Sequence, residues 1–270
     1  MLSNELKSCR QWLIDNKLSL HLGKTEAILF GSKRKLRKVT SFAVKCDNKI
    51  IQNVKSVKYL GIQIDEDLSG DSIVKEIIKK ANSRIRFLYR CKDLLNFEAR
   101  KTMCSALIQC HFDYSCSSWF PGINMTLSKK LQIMQNKIIR FILNLKSRAS
   151  IRNKELSKAG FLNVTDRVKQ LKMNHVFKIK NHTCPPYMLS HFSRLNEDSN
   201  RMTTRASATD FFLPRVCGQG TSTFFFSAIK EWNALPTELK NEICELTFKG
   251  KLKLELAKEA HKLEVCEFTK

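Results

Sequence analysis

Residues 57–65 divide the chain into two parts with different hydrophobic patterns. This segment, VKYLGIQID, carries Val57, Tyr59 and Ile62, and β-branched and aromatic side chains favour a half-buried strand. Gly61 interrupts the run, which predicts a bulge or a close approach of another backbone. Before the segment the chain shows the alternation of short strands, and after it almost every stretch has helical spacing. We therefore expect residues 57–65 to be the last strand of a small sheet.

The net charge restricts the class of partner. Lys and Arg number 48 against 25 Asp and Glu, which gives +23 at pH 7. That excess is too large for an ordinary metabolic enzyme and indicates a polyanionic partner, nucleic acid before membrane. The alternative is a basic surface that only keeps the protein in solution. Because the basic residues cluster on particular segments, the first interpretation is preferred.

The ten cysteines show no paired spacing. No apolar run approaches the ~20 residues of a membrane-spanning helix, and the polar start of the chain is not a secretory signal. We therefore expect free thiols in a reducing compartment, nuclear or cytoplasmic, with no membrane partner. Cys104, Cys110, His111 and Cys116 do not have the spacing of a common zinc finger, and the sequence predicts no metal ligands.

Residues 1–68 are predicted to form a helix followed by an antiparallel sheet of hairpins. The pattern places the helix at 3–15, one hairpin at 18–22 and 27–30, a second at 41–46 and 49–52, and the closing strand at 57–65. An exposed loop is expected between the two hairpins. It carries five basic residues in a run of six, namely Lys33, Arg34, Lys35, Arg37 and Lys38. Such a run can contact phosphates, serve as a nuclear import signal or remain a solvated loop.

Residues 69–147 are predicted to be helical. Helices are expected from about residue 71 to 91, from Asn96 through Cys110, and from Thr126 for roughly 30 Å. Eight cations lie away from the apolar stripes of the first and third helices: Lys75, Lys79, Arg86, Arg90, Lys129, Lys130, Lys137 and Arg140. These residues form either a solvated surface or a surface along which a nucleic-acid backbone lies.

Residues 148–270 are predicted to be helical around an irregular linker at 184–220. A short helix is expected at 151–158, another from Thr165 to Lys180, and a last one from Phe248 to about Val265. The linker is rich in Ser, Thr, Asn and Arg. The aromatic residues that follow, including Trp232, either stack on unpaired bases or anchor the tail on the helices, and the anchoring interpretation is preferred.

Several segments, in this order, resemble reverse transcriptases of jockey- and CR1-type non-LTR retrotransposons. The most specific segment has the family pattern W-x3-N-K-L-x-L-N-x2-K-T, with His21 in place of the usual asparagine. Residues 57–65 resemble the strand that closes the polymerase palm, and an H-x-D-Y motif at 111–114 is followed by Trp119. The tail repeats the family order T-R, F-x-P, F, W-N-x-L-P and F-K. The matches in the first segment are Trp12, Asn16, Lys17, Leu18, Leu20, Lys24 and Thr25.

The resemblance implies an α+β fold made of the end of a palm, a thumb-like helical region and a C-terminal tail. It places Lys24 near the triphosphate of an incoming nucleotide, whereas the residues alone equally suit an exposed turn lysine. The matching region begins just after the family's catalytic aspartates, and the chain contains no Asp-Asp pair. The resemblance therefore implies a fragment of an RNA-directed DNA polymerase that is inactive alone and has no catalytic or metal-binding residues.

As such a fragment, the chain is expected to bind RNA and DNA, as template–primer or RNA–DNA hybrid, and to partner the upstream portion of the polymerase. It needs no cofactor of its own, since Mg²⁺ is expected only for the full-length enzyme. The alternative is a non-enzymatic basic protein derived from a retrotransposon, either domesticated or degenerate.

Overall fold

The computed structural model describes residues 2–46, 49–192 and 210–268, with side chains as far as residue 259. The chain divides into two compact units, Met1–Glu76 and Ile77–Lys270. Over the described residues it is mostly helical with three two-stranded sheets, which agrees with the predicted α+β class at that level. The division of the chain at residues 68 and 147 into palm, thumb and tail stays a prediction, as does the assignment of palm and thumb.

The first unit contains short elements joined by turns. Its helices are α1 (Leu2–Asp15), α2 (Lys33–Leu36) and the beginning of α3 (Asp71–Arg90). Its strands are β1 (Glu26–Ala27), β2 (Lys45–Cys46), β3 (Lys49–Ile50), β4 (Gln52–Asn53), β5 (Ser56–Tyr59) and β6 (Ile62–Asp65). Among the described residues, β2 pairs with β3 and β5 with β6, both antiparallel, while β1 pairs with β4 in parallel. The prediction of one antiparallel sheet is therefore wrong, although the second hairpin forms.

The predicted strand at residues 18–22 is also wrong. The chain instead makes a 3₁₀ turn at Leu22–Lys24, in which the carbonyl of His21 accepts the Lys24 amide at 2.9 Å and the Thr25 hydroxyl at 3.1 Å. Leu20 and Leu22 alternate with polar residues because both pack, partly buried, on a small core of Val44, Cys46 and Ile51. The alternation of leucine and polar residues therefore comes from two leucines of an irregular segment that contact the core, and it does not indicate a strand.

Residues 57–65 form most of a hairpin instead of a single closing strand. The register pairs Tyr59 with Ile62, so that Leu60 and Gly61 are the two turn residues. Their φ angles are 46° and 84°, and a two-residue turn of type I′ requires positive φ at both positions. Gly61 adopts this conformation without steric cost. The glycine that suggested a bulge therefore reverses the chain.

The second unit is helical and confirms most of the predicted helices. After α3, a continuous helical segment comprises α4 (Phe97–Cys104), a π-helical turn (Ser105–Gln109) and α5 (Cys110–Asp113). The remaining helices are α6 (Cys116–Trp119), α7 (Met125–Ile142), α8 (Asn153–Ala159), α9 (Val164–Lys180), α10 (Pro186–Leu189), α11 (Phe224–Asn233), α12 (Thr237–Lys240) and α13 (Glu245–Phe268). Short 3₁₀ turns lie at Lys92–Leu94, Phe120–Gly122 and Gly218–Ser222.

Asparagine residues begin three of these helices. The side-chain oxygen of Asn96 accepts the amide of Ala99 at 2.8 Å, as predicted. Asn124 and Asn163 cap α7 and α9 in the same way. The start of α7 predicted at Thr126 is therefore one residue late, and the cap of α9 predicted at Thr165 is two residues late. Asparagine satisfies an otherwise unpaired amide of the first helical turn better than threonine does.

Aromatic side chains hold the C-terminal helices together. The rings of Phe177 and Phe248 stack at 4.4 Å, and Trp232 lies 6.0 Å from Phe248. Trp232 is 0% exposed, and Phe224 and Phe225 pack against the same core. The preferred interpretation, in which these residues anchor the tail, is confirmed. In the predicted linker, Phe212 is exposed, while Thr204 and Arg205 lie outside the described residues.

Along the described ranges, no helix combines the length and the apolar character that crossing a membrane requires.

Candidate nucleic-acid interface

The basic run at residues 33–38 forms the short helix α2 (Lys33–Leu36) and the turn that follows it, in place of the predicted loop. The Ser32 hydroxyl caps α2 by accepting the Lys35 amide at 3.4 Å, and half-buried Leu36 holds the helix against the unit. Five cations are nevertheless exposed, as predicted. They are Lys33, Arg34, Lys35, Arg37 and Lys38.

One of the five α2 cations already has a partner within the chain. The Lys33 ammonium lies 3.2 Å from a carboxylate oxygen of Asp67. Burial alone would raise the pKa of Asp67, but hydrogen bonds from the Ser69 hydroxyl and amide and from Lys33 lower that pKa. A cleft of about 590 Å³ beside α2 contains both Glu66 and Asp67. A phosphate is therefore expected to contact the other four cations, of which Arg37 also lines this cleft and Arg34, Lys35 and Lys38 do not.

Lys24 ends an exposed turn. Gly23 is not one of the described glycines with a positive φ. The turn therefore does not depend on the left-handed backbone conformation that favours glycine. The Lys24 side chain is exposed, which suits both the triphosphate contact implied by the resemblance and an ordinary surface lysine.

Helix α3 carries a stripe of exposed cations opposite its buried side. In the second unit, Lys79, Arg86 and Arg90 are all exposed. At about 100° per residue they lie within an arc of about 40°, and they span about 16 Å of helix. The predicted apolar stripe is buried at Ile77, Ala81, Ile85 and Leu88. Lys75, on the part of α3 that belongs to the first unit, is exposed as well.

Helix α7 has a second basic face. Lys129, Lys130 and Lys137 are exposed, and they project within an arc of about 100° on the side away from the core. Five residues of the predicted apolar stripe are buried on the other side of the helix: Leu127, Leu131, Met134, Ile138 and Ile142. The sixth predicted residue, Leu145, lies after the helix and is half-buried. The helix is about 27 Å long at ~1.5 Å per residue.

Arg140 does not belong with the exposed cations of α7. It is half-buried, and its Nε donates a 2.7 Å hydrogen bond to the carbonyl of Ala149. This bond fixes the loop that follows α7, because it satisfies a backbone oxygen outside any helix. Arg140 therefore has a structural contact that the other α7 cations lack, and its contact with nucleic acid stays a prediction.

Two of the three carboxylates at the end of the predicted palm strand, those of Asp65 and Asp67, are occupied by structural hydrogen bonds. Asp65 is 8% exposed, and its Oδ2 accepts the Ser72 amide at 3.1 Å at the start of α3. Asp67 accepts the Ser69 amide at 3.1 Å and pairs with Lys33. In the part of the chain that the structure describes, no three His, Cys, Asp or Glu residues are grouped so that they could hold a metal ion.

Cys104 and Cys116, two of the four residues that lack zinc-finger spacing, are buried. Burial raises the pKa of Cys104 to about 12 and that of Cys116 to about 12, whereas a metal ligand must be deprotonated. Cys110 of the same segment is exposed. Cys104 and Cys116 are therefore packing residues of the second unit.

A second group of cations in the second unit was not predicted from the sequence. Lys101, Arg167 and Lys253 come from three separate helices of the second unit and line one pocket. No spacing in the sequence connects them, since 66 and 86 positions separate them in turn. The H-x-D-Y motif was a partial signal, because its aspartate, Asp113, pairs with Arg167 at 2.7 Å.

No protein-family model matches the chain, and searches of the curated proteins and of the solved structures found no significant relative.

Proposed function

We propose that the chain binds RNA and DNA through their phosphate backbones with little sequence preference, as the template- and primer-gripping C-terminal part of a non-LTR retrotransposon reverse transcriptase. The observation that carries the binding part is the placement of exposed cations. On α3 and α7 they lie opposite the buried stripes, and on α2 four of them have no carboxylate partner among the described side chains.

Phosphate contact suits this arrangement better than base recognition does. Contacts of Lys and Arg with phosphates release counterions and carry no sequence information. Reading base edges needs side chains inserted into a groove, whereas the cations of α3 and α7 lie along the flanks of long helices. Trp232 and Phe248 of the tail are buried and cannot stack on bases.

The polymerase part of the proposal rests on the order of the family-like motifs along the chain. Nucleotidyl transfer needs carboxylates that hold two metal ions. This chain has no Asp-Asp pair, and the hydrogen bonds of Asp65 and Asp67 described above occupy their carboxylates. Its role in a polymerase is therefore to hold nucleic acid, and Mg²⁺ belongs to the complete enzyme.

The alternative proposal is a stand-alone basic nucleic-acid-binding protein of retrotransposon origin. One observation favours it: the second unit has its own extensive buried core, which includes Trp232, Phe248 and Met173, and it carries two basic helix faces. It could therefore bind nucleic acid without polymerase activity. Polymerase function restored by adding the upstream palm portion would favour the first proposal, and no restoration would favour the second.

The basic helix α2 provides the first test of binding. Arg34, Lys35, Arg37 and Lys38 are changed together to glutamine, and Lys33 is kept because it pairs with Asp67. Each phosphate contact contributes about 0.9 to the slope of log affinity against log salt. We expect a weaker affinity for a labelled duplex and a slope that is lower by up to about 3.6 units.

A matched control removes the same charge from scattered exposed positions of the same unit. Lys7, Lys45, Lys49 and Lys58 are all exposed, and changing these four to glutamine should alter the slope much less. If both variants lose the same affinity, only net charge matters and the α2 cluster is a solvated surface. If the unmodified chain binds neither RNA nor DNA at 50 mM salt, the proposed function is wrong.

A further inference from the structure

The π-helical turn at Ser105–Gln109 aligns four side chains along one wall. Lys101, Ser105, Gln109 and Asp113 recur every four residues and all line the same pocket. In a regular α-helix, twelve residues exceed whole turns by about 120°, so Asp113 would face away from Lys101. A π turn accommodates one extra residue, which reduces that difference to about 20°. The irregular turn therefore gives the pocket a straight wall.

The pocket behind this wall has a size suited to a small ligand. Its volume is about 770 Å³, within the range of about 300–1,000 Å³ that is usual for small-molecule sites. The other walls come from the loop that begins at Gly160, from α9 and from α13. All of these elements belong to the second compact unit.

Two ammonium groups meet at Gly160. The Lys253 ammonium donates a 3.0 Å hydrogen bond to the Gly160 carbonyl. The Lys101 ammonium is so close that a Cβ at position 160 would lie 3.2 Å from it. Gly160 also has a φ of 78°, so a larger residue there would be strained as well as crowded. The backbone at this glycine therefore allows two positive charges to approach each other.

A third cation lies nearby and is held in a fixed orientation. Arg167 places its Nη2 2.7 Å from Asp113 Oδ2 and its Nη1 2.8 Å from Gln170 Oε1. Gln109 Nε2 donates to the other oxygen of Asp113 at 2.8 Å. The orientation of the guanidinium is thus determined by two partners, and it still has N–H groups to donate, since it carries five.

The pocket has an excess of positive charge. Its lining contains three cations and a single carboxylate, Asp113, which leaves a formal charge of +2. Burial, followed by the charges of Arg167 and Lys101, lowers the pKa of Lys253. Across the described side chains, no ion pair is found for Lys101 or Lys253. Burial and Lys178 lower the pKa of His175, so this histidine adds no charge at neutral pH.

We propose that this pocket binds a phosphate monoester, with the phosphoryl group held by Lys101, Lys253 and Arg167. A monoester carries about −1.5 to −2 at pH 7, which matches the pocket charge, whereas each backbone diester carries only −1. The monoester could belong to a free nucleotide or to the 5′-terminal phosphate of a strand. The two sources present the same chemistry and are separated by the experiment.

Calorimetric titration of the full chain with AMP, adenosine and inorganic phosphate tests the proposal. AMP and phosphate should bind and adenosine should not. Lys101→Gln together with Lys253→Gln should weaken AMP binding at least tenfold. The matched control, Lys154→Gln with Lys230→Gln, removes two exposed charges from other positions and should leave AMP affinity within twofold.

A second variant keeps the proposal testable if the double lysine variant fails to fold. Asp113→Asn keeps the shape of the side chain and an oxygen that accepts a hydrogen bond from Arg167, so the guanidinium stays oriented. The change removes the only carboxylate among the described residues of the pocket, so AMP binding should tighten several-fold. Unchanged or weaker AMP binding by folded Asp113→Asn protein contradicts the proposed electrostatics.

Oligonucleotides that differ only in a 5′-phosphate identify the source of the monoester. A preference for the phosphorylated strand, lost in the double lysine variant, indicates a strand end, even if AMP binds weakly. AMP binding without that preference indicates a free nucleotide. If the unmodified chain binds AMP no better than adenosine and does not distinguish the two strands, the proposal is wrong. Binding of the 5′-hydroxyl strand would meanwhile leave the proposed backbone interface intact.

Discussion

Helix α7 carries cations that are expected to bind nucleic acid and one arginine that holds a loop, so substitutions on this one helix can test the two roles separately. Lys129, Lys130 and Lys137 are exposed, whereas Arg140 is half-buried and bonded to Ala149. Changing the three lysines to glutamine should weaken nucleic-acid binding without destabilising the chain. Changing Arg140 to glutamine should destabilise the chain and leave nucleic-acid binding unchanged.

The magnitudes follow from counterion release and from the hydrogen bond. Three duplex phosphate contacts contribute about 2.7 to the salt slope, so between 50 and 200 mM salt they account for about 40-fold of the loss of affinity. The triple variant should therefore lose affinity mainly at low salt. For Arg140→Gln, a lost hydrogen bond from a charged group costs about 1.5–3 kcal/mol. With an m value of about 3 kcal/mol/M in urea, the midpoint should fall by about 0.5–1 M.

Fluorescence anisotropy with a labelled 20-base-pair duplex at several salt concentrations measures the slope, and circular dichroism in urea measures stability. The two assays are run on both variants and on the unmodified chain. A triple variant with an unchanged slope would show that this face does not contact phosphates. An Arg140→Gln protein with normal stability and a lower slope would show that Arg140 is a phosphate contact after all.

Three further predictions concern chemistry, packing and thiol reactivity. Primer extension on an RNA template with Mg²⁺ should give no product above a protein-free control, since the chain lacks an aspartate pair; processive extension by the pure chain would contradict this. Trp232→Ala should cost about 3–5 kcal/mol in urea unfolding, because Trp232 is 0% exposed, whereas Phe212→Ala, at a position that is 40% exposed, should cost far less. Native alkylation followed by mass spectrometry should label exposed Cys244 first, because hydrogen bonds from Thr247 and Leu246 lower its pKa. Cys104 and Cys116 are buried and have pKa values of about 12, so they should react only after unfolding. Early labelling of either would place it at the surface.

The helices were predictable from the sequence because their apolar residues recur locally. The stripe from Ile77 to Leu88 and the stripe of α7 each specify a helix and its buried side without knowledge of the rest of the chain. The strands were not predictable in the same way. β1 pairs in parallel with β4, whose first residue, Gln52, aligns with Glu26, and two-residue strands carry almost no periodic signal.

The candidate sites also differ in whether one segment of the sequence or several distant segments form them. Runs of cations on one segment, such as those of α2 and α7, were visible in the sequence, and their exposure agrees with that prediction. The structural role of Arg140 was not visible, because its partner lies in a loop. The pocket at Gly160 depends on three helices and on a π turn that no spacing rule indicates, so only the folded chain reveals it.

The π turn also restricts how the length of its helix can change during evolution. The buried residues Cys104, Ile108 and Phe112 share the four-residue repeat of the pocket wall, so two neighbouring faces of the helix depend on the same extra residue. Loss of one residue between 105 and 109 would rotate everything downstream by about 100°, which would move Phe112 out of the core and turn Asp113 away from Arg167. Related chains are therefore expected to substitute freely at exposed positions such as Ala106 but to keep the number of residues constant, so that length, more than identity, is the mark of common descent in this segment.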